Sequence, residues 1–351
     1  MISQREMVAR AIGLLRIQTG QQIQFAEEPP LNLGFGPAYP SGVESKHPLP
    51  AGPLTAAIQS VLYDRCYAHE PLEAREAPVP DPAIRQRLSA ANAARDGWDY
   101  GWQVYQLGAN GQVFILKGER QRSAVPGEFI VTGAPGFAPQ VGHGVTLRIV
   151  RESDAVQPDF FFMFSETPTD VWDDFYLVRF YFHSTADGAP SVVRYLTSGL
   201  NRYQIPYRMK ALSDSTLYTR RDAIVLYVAR RYHAIPESLV REMPEDVAAA
   251  LKPSVPLFTK MMRPGVGLAE DPRTGESFGM HRCRLVAEGL INAWARGQHM
   301  EADRMSALDA QFASAGLSLD RPWLNPASVD IFDCGLAVET PITESSHAAV
   351  S

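Results

Sequence analysis

A basic segment between residues 194 and 231 holds the residue types that could do chemistry. It carries eight arginine and lysine side chains against two acids, Asp214 and Asp222, although the whole 351-residue chain has a formal net charge of −6. A guanidinium binds phosphate through two parallel hydrogen bonds, whereas lysine is a compact and titratable point charge. The segment therefore predicts a phosphate-binding surface, unless its arginines pair with acids elsewhere on a solvated face. The basic residues are Arg194, Arg202, Arg208, Lys210, Arg220, Arg221, Arg230 and Arg231.

Lys210 is the candidate general base of this segment. It follows Arg208 by two residues on a predicted strand, so the two side chains share one face. Tyr218, Arg220 and Asp222 share the next such face if their segment is also extended, and Asp222 could then orient a guanidinium. Neighbouring cations lower the pKa of an amine, which suits Lys210 to proton abstraction. The alternative is that Lys210 simply points to solvent.

A second candidate segment begins the predicted helix 278–296, just after Ser277. The backbone N–H groups and the dipole at a helix N-terminus favour anions, and His281 and Arg282 add donors in the first turns. His281 could therefore protonate a leaving oxygen. Taken alone, a single histidine in a helix is more often a packed or surface residue.

Composition excludes several classes of protein. The net acidity argues against a nucleic-acid binder. The three cysteines are far apart, which predicts neither a disulfide framework nor a cysteine zinc site and fits a reducing compartment. No apolar stretch is long enough to cross a bilayer, and charged residues interrupt the first fifteen, so we expect a cytoplasmic protein without a signal peptide or membrane partner.

Hydrophobic periodicity predicts an α+β fold: a single integrated domain with a helical N-terminal part, a central mainly antiparallel sheet and C-terminal helices. We expect a helical region over 1–97, an α+β core over 98–336 and a frayed tail over 337–351. Asn110-Gly111 is a hairpin signal, and 253–275 is expected to be irregular. The predicted helices are 5–16, 54–67, 83–95, 191–203, 237–251, 278–296 and 301–315. The predicted strands are two within 98–117, then 145–150, 160–164, 175–182, 207–212 and 223–228.

Several short segments together resemble the HopA-type effector family, whose members are also encoded beside peptide-modifying kinases in lanthipeptide and thioamitide gene clusters. The resemblance covers about residues 54–332. It rests on Trp98-Asp99-Tyr100-Gly101-Trp102, Tyr207-Arg208-Met209-Lys210, the run from Tyr218 to Val228, Phe258-Thr259-Lys260, the run from Gly265 to Pro272, the run from Glu276 to Arg282, and Arg321-Pro322-Trp323-Leu324-Asn325-Pro326.

The resemblance implies a lyase that removes phosphate from phosphoserine or phosphothreonine in a precursor peptide, leaving dehydroalanine or dehydrobutyrine. It implies two partners: a dedicated Ser/Thr peptide kinase that supplies the phosphate, and a precursor peptide whose leader docks on the enzyme. Related effector lyases use a lysine base and a histidine acid without metal or organic cofactor. The base carries over to Lys210, whereas Tyr176 or Tyr181 stands in the strand that holds the histidine of those effectors.

β-Elimination needs a neutral amine to take the weakly acidic Cα proton, fixed cations around the phosphate, and a donor near the bridging oxygen. Lys210 is the expected base, and the expected acid is His281, with Tyr218 second. Two alternatives stay open: a non-catalytic phosphopeptide-binding module, and a scaffold that activates a kinase. The expected phosphate-binding residues are Arg208, Arg220, Lys260 and Arg282.

Overall fold

A computed structural model describes residues 3–33, 52–72, 79–133 and 136–333. The predicted tail 337–351 lies outside these ranges. No helix within them is long and apolar enough to span a membrane.

Most helices form where the apolar periodicity predicts them. The predicted helix 237–251 is wrong, because Pro244 interrupts it and two short helices form instead, and the predicted helix 5–16 ends early, at Gly13. Ser3 and Glu6 form a capping box at the start of the first helix, and Ser277 caps the long late helix. Gly316, with φ of +69°, follows the last one, as expected of a C-cap glycine. The helices are α1 (Gln4–Gly13), α2 (Pro53–Leu62), α3 (Ile84–Ala91), α4 (Ala189–Arg202), α5 (Ala234–Arg241), α6 (Glu245–Ala248), α7 (Phe278–Ala295) and α8 (Glu301–Ser314). A π-helical turn, Tyr63–Tyr67, extends α2.

The strands form three antiparallel sheets. A three-stranded sheet in the order β1-β2-β3 accompanies the N-terminal helices, and a five-stranded sheet in the order β6-β5-β4-β8-β7 follows it. These strands are β1 (Leu15–Thr19), β2 (Gln22–Phe25), β3 (Leu31–Asn32), β4 (Gly97–Leu107), β5 (Val113–Lys117), β6 (Arg120–Ala124), β7 (Phe129–Val131) and β8 (Gly144–Ile149). The predicted hairpin at Asn110-Gly111 joins β4 to β5, which pair antiparallel.

The central sheet has seven strands, in the order β14-β15-β11-β13-β12-β10-β9. Every neighbouring pair is antiparallel, which confirms the predicted α+β class. Its strands are β9 (Glu152–Ser153), β10 (Phe160–Phe164), β11 (Leu177–Phe182), β12 (Tyr207–Leu212), β13 (Ile224–Ala229), β14 (Lys260–Arg263) and β15 (Val266–Glu270).

Helices cover both faces of the central sheet. On one face, α3, α4 and α5 pack on side chains such as Met209 and Leu226. On the other, α1, α2, α7 and α8 pack on Tyr181, Val225 and Ala269. Side chains alternate between faces along a strand, so Arg208 and Lys210 lie on the second face. The helices of this face pack on β11, β13 and β15 but not on β12, so Arg208 and Lys210 lie outside that packed core.

Two sequence predictions about this region are wrong. Residues 253–275 are not irregular throughout, because β14 and β15 form a hairpin there at Gly265, whose φ is +78°. β15 is buried along its whole length, so it lacks the alternation that marks a half-buried strand. Residues 218–222 are not extended, because a turn occupies them and β13 begins only at Ile224.

Candidate functional site

Lys210 lies in the middle of β12, between β10 and β13. It pairs with Phe162 on one side and with Val225 on the other. Its Nζ atom donates to Oε1 of Gln157 at 3.0 Å and lies 3.9 Å from the centroid of the Phe160 ring. The side chain is half-buried, and burial is the main cause that lowers its pKa below the ordinary lysine value. This supports the predicted base, because a neutral amine forms more readily here than in water.

Tyr227 lies between two guanidinium groups on the same face. The registers place Arg208 of β12 and Arg179 of β11 directly across from it, one on each side. The guanidinium carbons lie 5.1 Å and 5.2 Å from the ring centroid, respectively. Arg179 also pairs with Asp271. Arg208 is exposed, and among the described residues no carboxylate lies within ion-pair distance of it, so its donors can serve a ligand.

Arg220 is held by Asp222, as the sequence predicted, although the segment is a turn rather than a strand. Nε and Nη2 of Arg220 donate to the two carboxylate oxygens of Asp222, each at 2.9 Å. Nη2 also donates to Oη of Tyr63 at 3.1 Å. Burial acts to raise the pKa of Asp222, but Arg220 and Lys210 more than offset it, so the pKa is lowered.

The ring of Phe160 is close to both Arg220 and Lys210. The guanidinium carbon of Arg220 lies 5.9 Å from its centroid, while Lys210 contacts the same ring. Lys210, Arg208 and Arg220 are therefore brought together, as predicted, with Tyr227 and Arg179 beside them. We call these five residues the lysine site. In this site Arg179 and Arg208 lie over the Tyr227 ring, and Lys210 and Arg220 lie near the Phe160 ring, an arrangement that can bind a phosphate dianion beside an amine.

Lys260 and Tyr218 lie elsewhere. Lys260 pairs with Leu268 of β15, whose successive partners lead across the sheet to Met209, so Lys260 is on the face opposite Lys210. Its Nζ atom is 3.0 Å from each carboxylate oxygen of Asp330. Tyr218 is packed in the core of that opposite side, where its hydroxyl donates to the carbonyl of Leu212 at 2.9 Å. The geometry gives both residues structural partners instead of a place in the lysine site.

Arg282 and His281 are buried at the start of α7. The Arg282 side chain donates to the carbonyls of Pro322 at 2.7 Å and Leu324 at 2.9 Å, so it ties α7 to the C-terminal segment. Its Nη1 lies 2.6 Å from Nδ1 of His281. Because a guanidinium only donates, Nδ1 is the acceptor and the proton is on Nε2. Burial, with Arg282 and Arg284, lowers the pKa of His281 to about 3, so it is neutral near pH 7.

Of the two tyrosines that stand for the effector histidine, one lies at the surface and one in the core, and His183, which follows the same strand and has no counterpart in the family, is in the core as well. Tyr176 is exposed, and Tyr181 is buried against Tyr67 and Phe278. His183 is buried, and its Nδ1 lies 3.1 Å from the carbonyl oxygen of Ser254. Burial lowers the pKa of His183 to about 4. None of the three contacts Lys210 within the described residues.

One short motif needs its structural context. Residues 275–279 match the G-x-S-x-G pattern of serine hydrolases. Ser277 caps α7, where its hydroxyl accepts the backbone N–H of Met280 at 3.3 Å. A loop, rather than a strand, precedes it. The serine is therefore part of a helix cap and not of a nucleophile elbow.

Sequence reasoning missed Tyr227, Arg179, Phe160, Gln157 and Tyr63. The alternation of apolar residues in each strand assigns Tyr227 and Arg179 to a face of their own strand only. Which strands lie beside β12 depends on the whole sheet. The sequence did carry one signal. Arg208-Met209-Lys210 and Arg179-Phe180-Tyr181 each place two polar side chains on one face of their strand.

A cleft adjoins the lysine site where the central and five-stranded sheets meet. It has a volume of about 400 Å³, and Arg208 and Tyr227 line it.

Comparison with known proteins places these residues in a recognised sequence family. Residues 151–324, which include the whole lysine site, match the HopA1 effector protein family. A solved effector protein from Pseudomonas syringae pv. tomato strain DC3000 is 16% identical, with a TM-score of 0.44, over 77% of this chain and 90% of that chain. One from Pseudomonas syringae pv. syringae strain 61 is 12% identical, with a TM-score of 0.40, over 78% of this chain and 97% of that chain. No curated protein matches.

Proposed function

Over residues 151–324 this chain belongs to the HopA1 effector protein family, and on that premise we propose that it is a phosphoserine or phosphothreonine lyase. The substrate is a precursor peptide that a partner Ser/Thr kinase has phosphorylated. The products are inorganic phosphate and a peptide that contains dehydroalanine or dehydrobutyrine, as in the biosynthesis of lanthipeptides and thioamitides.

The observation that carries the proposal is the setting of Lys210. Its amine lies against an aromatic ring, has a lowered pKa, and shares one sheet face with the guanidinium groups of Arg208 and Arg220. A phosphate-binding module needs the guanidinium groups but has no use for an amine that loses its proton readily. A base for carbon acids needs both, since the phosphate must be held while the adjacent Cα–H is broken.

The elimination can be written with these side chains. The neutral Nζ of Lys210 takes the Cα proton, and the electron pair of that bond forms the Cα=Cβ double bond. The Cβ–O bond breaks, and its electrons leave with the phosphate. Arg208 and Arg220 hold the phosphate oxygens, and the phenol of Tyr227 donates a proton to the departing bridging oxygen. Tyr227 suits this step better than His281 or Tyr218, because it lies on the face of Lys210 and between two arginines.

The setting of the reaction follows from its substrate. The precursor peptide would dock through its leader, and the kinase would act before the lyase. Cys66 and Cys283 are free thiols in the core, which suits a reducing compartment such as the cytoplasm. Neither a nucleic acid nor a membrane takes part in the proposed reaction.

Mass spectrometry of a phosphorylated precursor peptide tests the proposal. Incubation with the purified protein should remove the mass of one phosphoric acid per phosphoresidue. Lys210→Ala should abolish this loss while the phosphopeptide still binds. Lys117→Ala is the matched control, because Lys117 pairs with Asp99 in the five-stranded sheet and should leave turnover unchanged.

Other results would favour the alternatives. Tight binding of the phosphopeptide without any loss of mass, with the cognate kinase present, would indicate a phosphopeptide-binding module. Stimulation of the kinase together with no action on an already phosphorylated peptide would indicate a kinase scaffold.

A further inference from the structure

The cleft between the central and five-stranded sheets, which we call the inter-sheet cleft, has an apolar floor. Phe164 and Leu177 come from the central sheet, and Leu147 comes from β8. The segment 165–169 forms one side and supplies hydroxyl groups. Three basic and three acidic residues surround the floor, namely Arg122, Arg148 and Arg208 with Glu128, Asp173 and Asp174.

The inter-sheet cleft continues directly from the lysine site. Arg208 and Tyr227 line the cleft, and Lys210 follows Arg208 by two residues on the same face of β12. Two residues of a strand span about 7 Å, which is also the length of two residues of an extended peptide. A peptide that runs along β12 with its phosphoresidue over Lys210 therefore places the residue two positions away over Arg208, at the mouth of the cleft.

The chemistry of the cleft indicates which side chain fits it. Three arginines and three carboxylates line the cleft, and one of the carboxylates, Asp173, already pairs with Arg231 outside it, so no large excess of either charge attracts an acidic or basic group. The floor is apolar, and a space of about 400 Å³ falls in the range of ligand pockets with apolar floors and a few polar groups. An apolar side chain of the peptide would gain from burial there.

We propose that the inter-sheet cleft binds the peptide residues that adjoin the phosphorylated residue and accepts an apolar side chain from them. This rests on the proposed function, since it takes a phosphopeptide as the ligand. It adds a second determinant of substrate choice, apart from the phosphate itself.

The test measures binding of fluorescent phosphothreonine peptides by anisotropy to the Lys210→Ala protein, which cannot turn them over. In one peptide, Leu occupies the two residues before and the two residues after phosphothreonine. In the second peptide, Gly occupies the same four positions. Val150→Trp and Thr169→Trp fill the cleft from two of its walls. Val141→Trp is the control, because Val141 is exposed and is not among the residues that line the cleft.

We expect the Leu peptide to bind at least tenfold more tightly than the Gly peptide, since burying one Leu side chain contributes about that much or more. Both cleft-filling variants should remove this preference, and Val141→Trp should keep it. Equal binding of the two peptides, a preference that survives in cleft-filled variants with unchanged melting temperatures, or no binding of either peptide would each overturn the proposal. If the preference holds but the wild-type protein releases no phosphate, the proposed lyase function fails and the cleft remains a peptide site.

Discussion

The ammonium nitrogen of Lys210 lies 3.9 Å from the centroid of the Phe160 ring. The ring excludes water from one side of the amine, and its negative face stabilises the charged form. Burial lowers the pKa of Lys210, and the positive charge of Arg179 lowers it further. Tyr227 and Asp222 act in the opposite direction and raise it. The net effect is a lowered pKa, so the neutral amine that the elimination needs forms more readily here than in water.

The first prediction concerns the pH dependence of elimination. Below the pKa of Lys210 the amine is protonated and cannot act as a base, so kcat/KM should rise with pH. Its midpoint should lie below the ordinary lysine pKa of about 10.4, because the pKa is lowered in the folded protein. Phe160→Leu removes the ring that favours the ammonium form, so the midpoint should fall by about 0.5 to 1 pH unit further.

Steady-state kinetics between pH 6.5 and 10.5 checks this prediction. Phe162→Leu is the control, because Phe162 is as buried as Phe160 and pairs with Lys210 across the strands, but no cation of the described residues lies over its ring. A midpoint that moves upward in Phe160→Leu, or equally in both variants, would contradict the role of the ring.

The second prediction concerns Tyr227 as the proton donor. Tyr227→Phe keeps the ring between Arg179 and Arg208 but removes the hydroxyl. The value of kcat should fall by about 10² to 10⁴, the usual contribution of general acid catalysis, with phosphopeptide affinity retained. Tyr218→Phe should instead leave kcat unchanged and lower the free energy of unfolding by about 1 kcal/mol, because the hydroxyl bonds a core carbonyl. Turnover of Tyr227→Phe at the wild-type rate would exclude Tyr227 as the acid.

The third prediction distinguishes Arg208 from Lys260, both of which the sequence predicts to bind phosphate. Arg208→Gln should raise the Kd for phosphopeptide about 10- to 100-fold, since it removes a charge-assisted hydrogen bond, with no change in melting temperature because the side chain is exposed. Lys260→Gln should lower the free energy of unfolding by about 1 to 3 kcal/mol, because it breaks the contacts with Asp330 and the Phe332 carbonyl, and should leave the Kd unchanged. Isothermal calorimetry and thermal unfolding of both variants measure these effects, and a large rise in Kd for Lys260→Gln would place Lys260 at the phosphate.

The fourth prediction concerns stability in acid. The folded protein holds His281 with a pKa of about 3 and His183 with a pKa of about 4, mainly because both are buried. The unfolded chain protonates them near pH 6.5, so it binds more protons than the folded chain between those values. The free energy of unfolding should therefore fall as the pH drops below 6.5, by about 2 kcal/mol per histidine at pH 5.

Urea unfolding at pH 8 and pH 5 measures this difference. His183→Gln and His281→Gln should each be less stable than wild type at pH 8 and should each lose less stability on going to pH 5. A drop that is the same in wild type and both variants would show that other groups cause it.

Local pattern was enough to predict most of the fold. Strand β10 and strand β12 begin and end at the predicted residues, and α7 ends within one residue of its prediction. The backbone repeats of helix and strand leave a period in the sequence wherever one face is buried. The hairpin β1–β2 was missed although its residues alternate between apolar and polar, because each strand is only four or five residues long. Strand β14 is equally short, and β15 is buried along its whole length and so carries no such period.

Sequence alone was sufficient to predict the chemical groups of the site: Lys210 two residues after Arg208 on one strand, and Arg220 with Asp222 to hold it. The tertiary structure decided which of the other polar groups join them. Strand order put Tyr227 and Phe160 beside Lys210, and alternation along β14 turned Lys260 to the opposite face. The physical reason is that periodicity is a local property of one strand, whereas the pairing of strands depends on burial summed over the whole sheet, which no short stretch of sequence records.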